Sequence, residues 1–523
     1  MGILGAPVPW WGFLALLAIP YLWFGLLLGA TFWIDGFCYA GLGASLSDAA
    51  AYREFNTGYG RLALSHLQIG LPALAWLLDS LPAAAQWPVL EIFQRLVSFG
   101  SLVFALGVMA NGSPRVVHVL TGWLMAWNPF FQSFHNAFMT ESLSGSLLLC
   151  GFALSLWMFR GRSSDWRMLV ALGATIFLVT QFRSYYGAII FCMVAAVVWI
   201  GRVPRRLFTT LVLGATTVVA GLFYPACRWV ATGNWFLPGV GVNQLLVAVY
   251  LNPAPGAGIA ERIQTFSPEE RAAMKKILIP DGAFDVTDAK KLVLLMLKSG
   301  MSEREVDAKL KSLGRAILTE RPEFLAKRVR HGLASSGLVE TSGLWSDGVE
   351  MFRGLTPEAY LQHQRDVLNW HSWLSNEDYR TSFASFFATP RDIFPATAAG
   401  QEWIRRTEAS YVRGPTARWI RDPLGLGHLP ADVWAWAGIL SSLILIGRGN
   451  VVGLLVMGAV AANFLVAFAV PVGNPRYAYG VLPLYLLAMG ALLSAWFWLP
   501  GQKALRISFR DLLFEVRRPF RKV

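Results

Sequence analysis

Residues 139–159 read MTESLSGSLLLCGFALSLWMF. The run carries one charged side chain, Glu141, near its beginning, and Arg160 follows its end. A membrane helix needs ~20 mostly apolar residues, so this stretch predicts one. Thr140 is placed to cap it, and Glu141 then lies where the positive end of the helix dipole favours an acid. The same reading applies to 10–34, 88–110, 116–134, 168–182, 184–201, 207–226, 432–447, 451–473 and 478–499. The first run is too long, and its flanks too uncharged, to read as a cleaved signal peptide. Composition agrees. Of 523 residues 55% are apolar and only 15% charged, with a mean hydropathy of +0.47, whereas soluble chains carry roughly 25% charge. This excludes a soluble globular enzyme, a disordered chain and a collagen. The net charge of +13 does not point to nucleic acid, because the basic residues lie between apolar runs, as membrane topology requires. The expected fold is an all-α multi-pass membrane protein of about ten transmembrane helices.

Orientation follows from Lys and Arg in the short loops. With the N-terminus in the cytoplasm, the inside loops hold Arg115; Arg160, Arg162 and Arg167; Arg202, Arg205 and Arg206; and Arg448. A basic tail at 500–523 lies inside as well, so both termini are cytoplasmic. The expected organisation is a membrane module at 1–226, a mainly helical extracytoplasmic domain at 227–431, and the last membrane helices at 432–499. Within the module, the first outside loop at 35–87 reads as helices lying on the membrane surface. In the outside domain, Ser267-Pro268-Glu269-Glu270 and Ser302-Glu303-Arg304-Glu305 are capping boxes. The second precedes Val306, Leu310, Leu313 and Ile317 at helical spacing. Pro280 is expected to stop the first of these helices, and Pro322 to open a further one. The four cysteines, Cys38, Cys150, Cys192 and Cys227, show no C-x-x-C spacing. Cys38 and Cys227 both fall outside, where a pair can form, but free thiols are the simpler reading.

Polar residues within a membrane domain are costly and mark function by default. Here they gather at the outer ends of the spans: Glu91 and Arg95, Glu141, Arg183, Asp432 and Arg476. The middles of the spans are nearly free of charge, unlike those of an ion-coupled transporter. The first outside loop reads Leu46-Ser47-Asp48-Ala49-Ala50-Ala51-Tyr52. Asp48, with Tyr52 one turn on, can present a carboxylate to a cleft; as plain structure, Ser47 or Asp48 caps a helix. Asp35 is the rival carboxylate. Gln181-Phe182-Arg183-Ser184-Tyr185-Tyr186 and Asn474-Pro475-Arg476-Tyr477-Ala478-Tyr479 each set an Arg among aromatics at the outer face. An Arg fork suits phosphate, and an interfacial anchor is the plain alternative. His135 lies six residues before Glu141 without a supporting motif.

Together these elements resemble the GT-C glycosyltransferases, in particular the bacterial members related to protein O-mannosyltransferases and the lipid A aminoarabinose transferase. The likeness covers 1–226 and 432–499. It lies in the order of an acid in the first outside loop, Thr140-Glu141 opening span four, Arg183 ending span five, and Arg476-Tyr477 entering the last span. Two departures stand out: Asp48 is followed by Ala49 rather than a second acid, and the long outside region precedes span eight. The resemblance implies an inverting transfer of a sugar from a polyprenyl-phosphate carrier to an acceptor hydroxyl on a glycan, lipid or protein, at the outer face of a bacterial inner membrane. Asp48 would be the general base, with Arg183, Arg476 and Tyr477 at the donor phosphate, and Asp35, Tyr52, Glu141 and Tyr185 in support. No cofactor is implied. A divalent metal is unsupported, because the sequence has no D-x-D at Asp48, no H-x-H and no H-E-x-x-H. The alternatives are a polysaccharide polymerase or O-antigen ligase using a lipid-diphosphate glycan, and a lipid-linked glycan flippase.

Overall fold

The computed structural model describes residues 3–27, 69–128, 131–132, 134–136, 140–161, 165–232, 257–272, 299–320, 431–469 and 479–496. It also describes positions 46, 292, 296, 329–330, 332–333, 336–339 and 423–426. Among these residues the chain is helical, without strands; one isolated bridge joins Pro7 to Arg115. The helices are α1 (Trp10–Leu27), α2 (Gly70–Asp79), α3 (Ala83–Ala110), α4 (Val116–Ala126), α5 (Thr140–Gly161), α6 (Trp166–Phe182), α7 (Ser184–Ile200), α8 (Arg206–Thr232), α9 (Ala257–Gln264), α10 (Glu303–Glu320), α11 (Ala431–Gly447), α12 (Val451–Ala469) and α13 (Leu482–Trp496).

Three stretches, in α3, α5 and α8, are long and apolar enough to cross a membrane. Seven shorter apolar helices fall on the other expected runs. The chain is therefore a membrane protein.

The third run differs from expectation. It was read as one span over 116–134, but α4 ends at Ala126, after ~16 Å of rise. The chain turns at Asn128, and Phe134–Asn136 form a short 3₁₀ turn. Pro129 supplies the reason, because a residue before proline is driven out of helical conformation. The break returns polar residues Gln132 and His135 to the core, where both are fully buried.

Helix α5 is the hub. It packs against α3, α6, α7, α12 and the 134–136 turn. Small residues permit the close approach. A Cβ on Gly145 would come within 2.7 Å of the Tyr479 ring, and one on Gly151 within 2.6 Å of Ile190. Without a hydrophobic drive between helices in lipid, such approach is what holds them together. Around this hub, α1 packs on α3 and α4, α8 on α6 and α7, and α13 on α4, α11 and α12.

The basic end of the bundle is built from several clasps. Val8 donates to the Pro114 carbonyl at 2.9 Å, and Val116 to that of Ala6 at 3.1 Å. Arg115 donates to the Gly5 carbonyl, and Arg160 to the carbonyls of Val108 and Met109 at the end of α3. Arg206 lies 4.6 Å from the centre of the Trp199 ring and Arg448 5.2 Å from that of Trp496, the aromatic and basic pairing expected of a membrane interface.

In the region between α8 and α11, both capping boxes form. Ser267 N–H donates to Glu270 at 2.7 Å, and Ser302 N–H to Glu305 at 2.7 Å. Helices α9 and α10 pack together, and Val306, Leu310, Leu313 and Ile317 are buried as their spacing predicts. The continuations at Pro280 and Pro322 lie outside the described residues. Residues 332–333 and 336–338 do not stay with this pair. Gly332 abuts Phe464, Tyr485 donates to the Ser336 carbonyl at 2.9 Å, and Trp436 to that of Leu338 at 3.1 Å. This segment is seated among α11, α12 and α13. Cys150, Cys192 and Cys227 are free thiols.

Candidate functional site

Glu141 stands in the first turn of α5, and its side chain is buried. Its partner is Arg183, the single extended residue between α6 and α7 (φ −147°, ψ 107°). That corner is rigid: Arg183 N–H donates to Val179 at 2.7 Å, and the Arg183 carbonyl accepts from Tyr186 at 3.1 Å. One guanidinium nitrogen donates to Glu141, and another reaches the Tyr185 hydroxyl at 3.4 Å. Thr140 Oγ1 donates to the second Glu141 oxygen at 3.3 Å. Removing one member of such a buried pair typically costs ~3–5 kcal/mol, because the other charge is left uncompensated. Behind it, Tyr185 and Tyr186 rings meet edge to face, 4.6 Å apart. A Cβ on Gly480 would run into the Tyr186 hydroxyl, so the chain entering α13 passes directly over this tyrosine.

One residue along α5, Ser142 carries a second polar group. Its hydroxyl is 2.7 Å from His135 Nδ1. The His135 ring stacks on Tyr21 at 5.8 Å and meets Phe131 edge-on at 5.2 Å. Burial, and then the nearby Arg95 charge, push its pKa well below the ordinary imidazole value, so the ring is neutral. Arg95 donates to Gln132 Oε1 at 3.0 Å and to the Tyr21 carbonyl at 3.4 Å. Gln132 in turn donates to the Ala126 carbonyl at 2.9 Å, tying Arg95 to the broken end of α4. Tyr21 and Ser98 hydroxyls are 2.9 Å apart. Tyr479 closes the cluster: it stacks on Phe131 at 5.3 Å and donates to the Phe131 carbonyl at 3.1 Å.

No protein-family model, curated protein or solved structure matches this chain. The site is therefore argued from its own geometry. Of the residues singled out in the sequence, Glu141, Arg183 and Tyr185 come together although 42 residues separate the charged pair. Asp35, Asp48, Tyr52, Arg476 and Tyr477 lie outside the described residues. Arg95, expected near the start of its span, is buried. The structure adds Tyr21, Gln132, Ser142 and Tyr479, and gives His135 a partner in Ser142. The signal for Gln132 and His135 was present in Asn128-Pro129: a helix broken there had to fold the polar residues after it back against the bundle. Among the described residues no group of three His, Cys, Asp or Glu side chains is arranged to hold a metal ion.

Proposed function

We propose that this chain is a membrane glycosyltransferase that moves a sugar from a polyprenyl-phosphate carrier to an acceptor hydroxyl at the outer face of a bacterial inner membrane. The observation that carries this reading is the convergence of Glu141, which is buried, with the partly buried Arg183 and Tyr185 at the opening of the central helix, joining motifs whose order resembles the GT-C glycosyltransferases. Glu141 fixes the Arg183 fork so that its remaining edge faces the carrier phosphate; Arg476 and Tyr477 serve that phosphate from the entry to the last span. A bond forms between the acceptor oxygen and the anomeric carbon as the bond from that carbon to the phosphate oxygen breaks. The phosphate departs with the electron pair, and Asp48 takes the acceptor's proton as general base. Asp35 and Tyr52 flank that base. The leaving phosphate needs no general acid, and positive charge held in a water-poor site stabilises it as it forms.

The test is transfer by purified protein in lipid nanodiscs loaded with polyprenyl-phosphate sugars, read as release of polyprenyl phosphate. Arg183→Ala should lower turnover by ~10²–10³-fold, as for loss of a preorganised donor. Asp48→Asn should lower it by ~10²–10⁴-fold, because Asn keeps the capping oxygen and loses the base. Wild-type turnover in both folded variants would end this reading.

Orientation has its own test. In a background without the native cysteines, cysteine at Ser302 should react with an impermeant thiol reagent on intact cells, and cysteine at Ser163 should not. The reverse pattern would move the site to the cytoplasmic face.

A further inference from the structure

We propose that His135 and Arg95 form the inner wall of the carrier-phosphate subsite, with His135 Nε2–H donating to a phosphate oxygen. This rests on the transferase reading above and adds residues to its phosphate site.

The first observation is an unmatched atom. His135 is fully buried, and its Nε2 has no hydrogen-bond partner among the described residues, whereas its Nδ1 is held by Ser142 at 2.7 Å. The ring is wedged between Tyr21 and Phe131, so it cannot swing to find another partner. A buried polar nitrogen left unbonded is expensive, and each such group calls for an explanation outside the chain's own bonds. In the neutral ring, a Ser142 hydroxyl donating to Nδ1 leaves the proton on Nε2, which then donates outward.

The second observation is the neighbouring charge. Tyr21 links the two residues: its carbonyl accepts from Arg95, and its ring stacks on His135. The Arg95 charge acts on the imidazole, and the same charge favours an anion as the missing partner.

The third observation is position. Ser142 holds His135 and the adjacent Glu141 holds Arg183, so both groups reach the first turn of α5. That turn presents the positive end of the helix dipole. Arg95, on which Glu91 of its own helix acts in turn, and His135 add a second charge and a directed donor to those of Arg183 at this turn.

The test is binding of undecaprenyl phosphate, with undecaprenol as the uncharged control, to the full-length protein in nanodiscs by native mass spectrometry. His135→Asn keeps a polar group near the Nδ1 position and removes the one at Nε2; His135→Gln does the reverse. The Kd for undecaprenyl phosphate should rise by about 10-fold or more in His135→Asn, the loss of a hydrogen bond to a charged group. It should stay within about threefold of wild type in His135→Gln, and undecaprenol binding should change in neither. Unchanged binding in folded His135→Asn, or equal loss in both variants, would overturn the proposal and assign the ring to packing. If wild-type protein binds undecaprenyl phosphate no better than undecaprenol, the transferase reading itself falls.

Discussion

Helices α5 and α8 contain apolar stretches of equal length, 22 residues each, yet of the most apolar 18 residues 83% are buried inside the protein in the first and only 22% in the second. Hydropathy decides whether a helix can leave water. It does not decide whether protein or lipid takes water's place. The difference lies in what the two surfaces offer. On α5, Gly145 and Gly151 lie against Tyr479 and Ile190 with no room for a methyl group. On α8, Gly221 faces open space, and Leu207, Phe208, Leu211, Val218, Val219 and Leu222 are exposed in the manner of a lipid-facing helix. Hydroxyls on their own do not separate the two: Ser146 and Ser155 on α5, like Thr216 and Thr217 on α8, bond carbonyls one turn back in their own helix. Other elements meet α8 at the Ala220 carbonyl, which accepts from Gln181, and at an exposed Trp199–Thr210 bond, whereas α5 pairs its own buried side chains, Glu141 with Arg183 and Ser142 with His135.

The largest expected effect follows from that contact. Glu141→Ala leaves the Arg183 charge buried without its carboxylate and should cost ~3–5 kcal/mol, read as a fall in the thermal unfolding midpoint in detergent. Thr217→Val on α8 removes only a local bond and should cost well under ~1 kcal/mol. Equal shifts from the two substitutions would remove the distinction between the helices.

A smaller and cleaner pair uses glycine. Gly145→Ala should cost ~1–3 kcal/mol, because the stacked Tyr479 ring must move. Gly221→Ala should be neutral, or stabilising by up to ~1 kcal/mol through helix propensity. The unfolding midpoint again decides, and a neutral Gly145→Ala would mean that the helices around α5 are more loosely joined than described.

The smallest effect concerns α10. Glu305 accepts the Ser302 backbone N–H, and this bond, with the Ser302 hydroxyl second, holds its carboxyl below the ordinary value of 4.5. A depressed acid stabilises fully above its unfolded value and loses that contribution as pH falls through the folded value. The start of α10 should therefore fray below about pH 4.5. Amide exchange at residues 303–307, corrected for its intrinsic pH dependence, should show this in wild type and much less in Glu305→Gln. An identical pH response in the two would remove the box from the account.

Much of the architecture was legible because apolar length is a one-dimensional signal: apolar helices stand on every expected run, and the heptad-like spacing in α10 marks its buried face. The site was legible where a charge stood alone at a helix end, as Glu141 and Arg183 do. Arg95 stands near the start of its span as expected, but nothing in the sequence shows that it is buried there against Tyr21 and Gln132. His135 and Gln132 were obscured by an apolar run that appeared continuous across Asn128-Pro129. Nothing in the local pattern around Gly332–Leu338 announces that this segment seats among α11, α12 and α13; its partners Phe464, Tyr485 and Trp436 are more than ninety residues away.

The central claim is that the opening of α5, and not the outer surface of the bundle, receives a lipid-linked sugar at its phosphate. Photocrosslinking tests it most directly, using a polyprenyl-phosphate sugar with a diazirine beside the phosphate, followed by peptide mapping. The account predicts labelling within 131–146 and 183–190 that excess unlabelled carrier abolishes. Labelling confined to α8, and unaffected by competitor, would contradict it.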